Sequence, residues 1–181
     1  NQRPNCEEYM SKFEWRESQI RAANKILCQF QELDNVVLNG PTGSGKSGIG
    51  YAIHDLCLKE NPTNKTLLLC HQKVLQDQYS DFLEGIPGVM VLKGKSNYNC
   101  ALIPGKTVDA APCQFTNKCR FKESCEYWKR RQKIPNIPLL ITNYQMVLSL
   151  METKGGWNRK TNILICDECF VSSQKVLTED G

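Results

Sequence analysis

GPTGSGKS, residues 40–47, decides how the rest of the chain is read. Gly40, Gly43, Gly45, Lys46 and Ser47 fill the pattern G-x-x-x-x-G-K-[ST], and Thr42 and Ser44 fill its variable positions. A loop that wraps phosphates must turn its backbone N–H groups inward, and glycine permits that turn. The spacing therefore predicts a nucleotide phosphate cradle. Lys46 reaches the β- and γ-phosphates and the Ser47 hydroxyl ligates Mg²⁺. The cradle requires a buried strand before it and a helix after it. NVVLNG (35–40) is a short apolar run ending in glycine and reads as the strand. Residues 46–58 place Ile49, Ile53 and Leu56 on one face and read as the helix.

Working outward, strand and helix signals alternate. Residues 17–30 have apolar positions at Ile20, Ala23, Ile26, Leu27 and Phe30, which is helical spacing. KTLLLC (65–70), GVMVLKG (88–94), PLLITN (138–143) and NILICDE (162–168) read as further strands. Residues 73–83 and 144–151 read as helices between them. This alternation predicts an α/β fold, a parallel sheet with helices on both faces.

A nucleotide site of this type also needs an acid at the tip of another strand. ILICDE supplies Asp167, expected to hold Mg²⁺ through water, and Glu168, expected to polarise the attacking water. Upstream, Arg16 and Gln19 stand in WRESQ. Gln19 has an amide that can pair with an adenine edge, and Phe13 or Trp15 could cover the ring. The bland alternative is an exposed glutamine on a helix with core aromatics.

The stretch 94–137 breaks the alternation and is expected to be an inserted subdomain. It contains Cys100, Cys113, Cys119 and Cys125, with 12, 5 and 5 residues between them. Four thiols in a chain with a nucleotide site suit a metal better than disulfides. Zinc ligands usually come in tight C-x₂₋₄-C pairs, which are absent here, but the spacing alone leaves Zn²⁺ and an iron–sulfur cluster both open. The remaining cysteines, such as Cys28, Cys57, Cys70 and Cys166, read as small hydrophobes.

Charge follows the same division. The chain carries +4 overall. From Lys93 to Lys133, ten Lys/Arg against three Asp/Glu give +7, which leaves −3 for the rest. A basic segment of this kind suits a polyanion such as nucleic acid. EYWKRRQK (126–133) is either a strand-tracking surface, with Tyr127 and Trp128 stacking on bases, or a short helix with Trp128 packed on the bound cluster and a basic outer face. No apolar run reaches the roughly 20 residues of a membrane span, and an intracellular, membrane-free protein is expected.

The order R-x-x-Q, GPTGSGKS, four cysteines, Asp-Glu resembles that of the XPD/DinG-like iron–sulfur helicases of superfamily 2, the DinG-like branch most closely. LKGKSNYNC (92–100), CHQKVLQDQ (70–78) and ITNYQMVL (141–148) resemble local motifs of that group. The resemblance implies a RecA-like motor lobe formed by residues 1–93 and 138–181, with 94–137 as the iron–sulfur subdomain. It implies a helicase using ATP to move 5′ to 3′ on single-stranded or forked DNA. A [4Fe–4S] cluster on Cys100, Cys113, Cys119 and Cys125 and a second RecA-like lobe elsewhere in the full-length chain are implied too. The alternative is a zinc- or cluster-stapled nucleic-acid-binding module that uses ATP as a switch. One departure stands out: the group has His after Asp-Glu-x, where this chain has Phe170 following Cys169.

Overall fold

The computed structural model describes residues 15–30, 32–41, 43–83, 85–112, 119–152 and 157–167. The chain divides into two compact units, residues 1–64 and 65–181.

The first unit is built on two helices, α1 (Glu17–Gln29) and α2 (Lys46–Glu60). Ala23 and Ile26 of α1 pack against Ile49, Ala52, Ile53 and Leu56 of α2, with Trp15, Ile20 and Leu27 at the margin. The apolar spacing of both helices is thus spent on this one contact. The strand expected at 35–40 does not form. These residues have no ladder partner, and Val37 is 86 % exposed. A strand exists only through a hydrogen-bonded neighbour, and the described part of this unit contains none.

The second unit holds a parallel sheet of four strands: β1 (Thr66–Cys70), β2 (Val89–Val91), β3 (Leu139–Asn143) and β4 (Ile163–Cys166), in the order β2-β3-β1-β4. Register is fixed by pairs such as Leu67 with Leu140, Leu67 with Leu164, and Met90 with Leu140. β1 and β3 are buried along their length on both faces, which explains why their sequences are apolar without alternation. β4 is different. It pairs with β1 alone among the described strands, and Leu164 is 56 % exposed. Cys166 is exposed as well, contrary to its expected place on a buried strand.

Three helices complete the unit: α3 (Lys73–Phe82) after β1, α4 (Glu126–Lys133) before β3, and α5 (Tyr144–Glu152) after β3. Met146, Val147 and Leu150 of α5 pack in one cluster with Leu67, Leu69, Met90 and Leu140 of the sheet. Tyr98, Val108, Cys125, Tyr127 and Ile134 belong to that same cluster. The described residues of the 94–137 segment therefore lean on the sheet's core. Short 3₁₀ turns at Lys95–Asn97 and Val108–Ala110 and an antiparallel bridge between Asn99 and Thr107 shape its first half.

A buried arginine ties the other end of the sheet. Arg159, 6 % exposed, donates through its guanidinium to the carbonyls of Ile134, Ile137, Thr66 and Pro138. Burial draws its pKa down to about 10, so it stays charged at neutral pH. Among the described residues no helix is long and apolar enough to cross a membrane.

Candidate nucleotide site and cysteine segment

The loop before α2 has the backbone its sequence demands. Gly43 (φ +78°) and Gly45 (φ +81°) are both left-handed, a conformation side chains with a Cβ rarely adopt. Gly45 is the residue that caps α2, and Ile49 N–H donates to its carbonyl. The amides of Lys46, Ser47 and Gly48 then open the helix without intrahelical partners, at the positive end of its dipole. A Cβ on Gly43 would meet no atom within 4 Å, so an anion can approach the backbone there. This arrangement fits the phosphates of a nucleotide with its Mg²⁺. Lys46 Nζ donates to the carbonyls of Gly40 and Pro41, both at 2.9 Å, and Ser47 is half-buried in the first helical turn.

Arg16 and Gln19 are both turned onto this loop. Arg16 donates to the Gly43 carbonyl at 3.0 Å, and Gln19 Nε2 to the Gly45 carbonyl at 3.2 Å. Gln19 Oε1 accepts the Arg16 backbone N–H at 2.9 Å. Both ends of the Gln19 amide are thus engaged with backbone, where the sequence reading has it on an adenine edge. Trp15 lies against Gly48, whose missing Cβ would come within 3.2 Å of the indole ring. Thr42 and Phe13 lie outside the described residues.

This packing makes Gly45 the least replaceable glycine of the loop. An added Cβ would fall 2.0 Å from Gln19 Nε2, on a backbone already left-handed. Gly45→Ala is expected to cost about 1–3 kcal/mol of local stability and to weaken ATP binding at least tenfold. Gly85→Ala is the control, because Gly85 is also left-handed but its Cβ would meet nothing within 4 Å. Thermal unfolding and nucleotide titration of both variants check this.

In the second unit, Asp167 stands directly after β4. Its N–H donates to the Leu69 carbonyl at 2.8 Å, which extends the β1–β4 pairing by one step. Its Oδ2 accepts the hydroxyl of Tyr79, from α3, at 2.9 Å. The position is the C-terminal end of a parallel sheet, where open α/β folds bind ligands. Glu168 lies outside the described residues, as do Cys169 and Phe170. Nothing in the sequence flags Tyr79, which is 88 residues from its partner.

A second polar group sits at the ends of β2 and β3. Gln76 Nε2 and Thr142 Oγ1 both donate to the Leu92 carbonyl, and Asn143 Oδ1 accepts the N–H of Met146, capping α5. Lys93 pairs with Asp77 at 2.5 Å and holds that carboxyl below the usual carboxylate range. His71 follows β1 and is half-buried.

Three of the four cysteines expected to hold a metal are described. Cys125 is buried in the core cluster, while Cys100 and Cys119 are half-buried. No three His, Cys, Asp or Glu side chains are gathered for a metal among the described residues. Cys113 lies outside them. The described three therefore do not fit a preformed cluster site. Their segment is anchored by Tyr98, Val108, Tyr127 and Ile134, which are buried in the core cluster.

EYWKRRQK is a helix, α4, with its aromatics turned inward. Tyr127 is buried against Tyr98, with ring centroids 5.6 Å apart. Trp128 packs on the same cluster, with the Lys122 ammonium 4.6 Å and the Arg131 guanidinium 5.1 Å from its ring. The stretch is therefore helical, with Trp128 partly buried on the hydrophobic core. Arg130 is held by Glu126 and the Val91 carbonyl.

Residues 12–178 match the family model of the type III restriction enzyme res subunit. The chain belongs to that family. This makes it a superfamily 2 helicase-like ATPase motor domain, and the four-stranded parallel sheet is consistent with a RecA-like lobe. A comparison with curated proteins returned no match.

Proposed function

We propose that this res-subunit-family chain is the nucleotide-binding lobe of a DNA helicase. The observation that carries the reading is the loop with left-handed Gly43 and Gly45 set on the N-terminus of α2. In this reading the amides of 43–48 bind the nucleotide phosphates. Lys46 leaves the Gly40 and Pro41 carbonyls for the β- and γ-phosphates. Ser47 would ligate Mg²⁺, which would neutralise charge on the phosphates, and Asp167 is read by its strand-end position as a carboxylate that would hold Mg²⁺ through water. Glu168 orients the attacking water and accepts its proton. Arg16 and Gln19 keep the loop open by holding its carbonyls outward.

The finer assignment is to the iron–sulfur branch, acting 5′ to 3′ on single-stranded or forked DNA with a second RecA-like lobe, in an intracellular setting. It rests on motif order and on the +7 segment. Cys100, Cys113, Cys119 and Cys125 would be the thiolate set, though the described three are not gathered, and no step above depends on a cluster.

The test uses the full-length protein purified without oxygen. ATP hydrolysis stimulated by single-stranded DNA is expected. ATP binding without turnover would favour the switch-module reading instead. Metal analysis decides the branch: about four iron atoms per chain support it, zinc points to a stapled module, and neither metal withdraws the cluster while leaving the ATPase intact.

A further inference from the structure

The Asp167 carboxylate is held from two sides. Its backbone is fixed by the Leu69 carbonyl, and its side chain by the Tyr79 hydroxyl. Tyr79 is 2 % exposed and sits in the middle of α3. That helix is itself tethered twice on the preceding turn, by Gln76 to the Leu92 carbonyl and by Asp77 to Lys93. The phenol therefore cannot drift with a loose element. We propose that Tyr79 is a positioning residue that fixes the Asp167 carboxylate for a hydrated Mg²⁺. The proposal rests on the reading of Asp167 given above.

The chemistry is that of one acceptor shared between two tasks. A carboxylate has two oxygens and about four lone-pair sites. One phenol bond to Oδ2 leaves capacity for metal-bound water while stopping rotation about χ2. A neutral donor such as tyrosine does this without the charge of Lys or Arg, which would compete with Mg²⁺ for the carboxylate. The hydrogen bond is charge-assisted, and its loss frees the side chain before each binding event. The cost then appears in metal affinity.

The experiment titrates Mg²⁺ into the full-length protein with a fixed concentration of a fluorescent ATP analogue, reading equilibrium binding alongside turnover. Tyr79→Phe keeps the ring and removes only the hydroxyl. It is expected to raise the Mg²⁺ half-saturation about tenfold, with analogue affinity at saturating Mg²⁺ within about twofold of wild type. Tyr79→His, which retains a ring donor, should recover part of the shift, which a packing role would not. Adding Tyr79→Phe to Asp167→Ala should change nothing further. If Asp167→Ala leaves the Mg²⁺ dependence untouched, the metal role of Asp167 falls, and this proposal with it. If Asp167→Ala shifts it while Tyr79→Phe behaves as wild type, only the Tyr79 proposal is overturned. A Tyr79→Phe protein that is less heat-stable and binds the analogue worse at every Mg²⁺ concentration also overturns it, because the tyrosine is then only packing.

Discussion

Lys46→Ala abolishes ATP turnover: the full-length protein is expected to lose about three orders of magnitude or more, the scale on which charge stabilisation contributes to phosphoryl transfer. The side chain has a structural duty as well. Its ammonium donates to the Gly40 and Pro41 carbonyls, so alanine also loosens the loop. Those bonds lie on a partly exposed turn, and α2 is anchored separately through Ile49, Ala52, Ile53 and Leu56. The fold should therefore survive, with any loss of stability confined to the first unit. Steady-state hydrolysis, with circular dichroism to verify folding, checks this. Near-normal turnover in a folded Lys46→Ala protein removes GPTGSGKS from the mechanism.

The largest loss of stability is expected far from that loop. Arg159→Met removes a buried cation that serves four carbonyls at the start of β1 and the approach to β3. Methionine fills much of the volume but donates nothing. Each buried carbonyl left unsatisfied costs about 1–3 kcal/mol. Pro138 also accepts the N–H of Thr66, so not all four are orphaned. With two or three carbonyls left unsatisfied, the net cost is expected to be about 3–5 kcal/mol. That is a large share of the roughly 5–15 kcal/mol that holds an ordinary domain. Arg21→Met is the comparison, since Arg21 is exposed and pairs with Glu17 at 3.6 Å. It should unfold in urea as wild type does. Equal midpoints for the two variants would show that Arg159 is not a clamp.

What the sequence makes legible follows from how local each signal is. The helices at 17–29 and 46–60 and the strands β1 to β4 are written in runs of neighbouring residues, and their limits fall within a few positions of those expected. The glycine geometry at 43 and 45 is legible too, because the motif requires it. The run NVVLNG looks like a strand because composition describes a strand's tolerance for burial; pairing depends on a partner elsewhere. The bond from Gln19 to the Gly45 carbonyl was not legible, since that carbonyl is 26 residues on. Tyr79 and Arg159 were invisible for the same reason. One tyrosine in a polar helix and one arginine just before β4 acquire meaning only when the sheet brings distant carbonyls and carboxylates to them.

The shared core of the cysteine segment has a consequence for the order in which this unit can assemble. β2 and β3 are neighbours in the sheet, yet 47 residues separate Val91 from Leu139. Closing so long a loop is entropically costly before any ladder bond rewards it. Tyr98, Val108, Cys125, Tyr127 and Ile134 break that span into shorter hops, each docking on apolar residues that the sheet also buries. Ribosomal synthesis presents β1, α3 and β2 first, with one face of Leu67, Leu69 and Met90 still bare. The segment is next to emerge and can cover that face before β3 exists. It would then act as a folding scaffold, and a shortened chain with 94–137 replaced by a flexible linker should refold slowly and aggregate on the way.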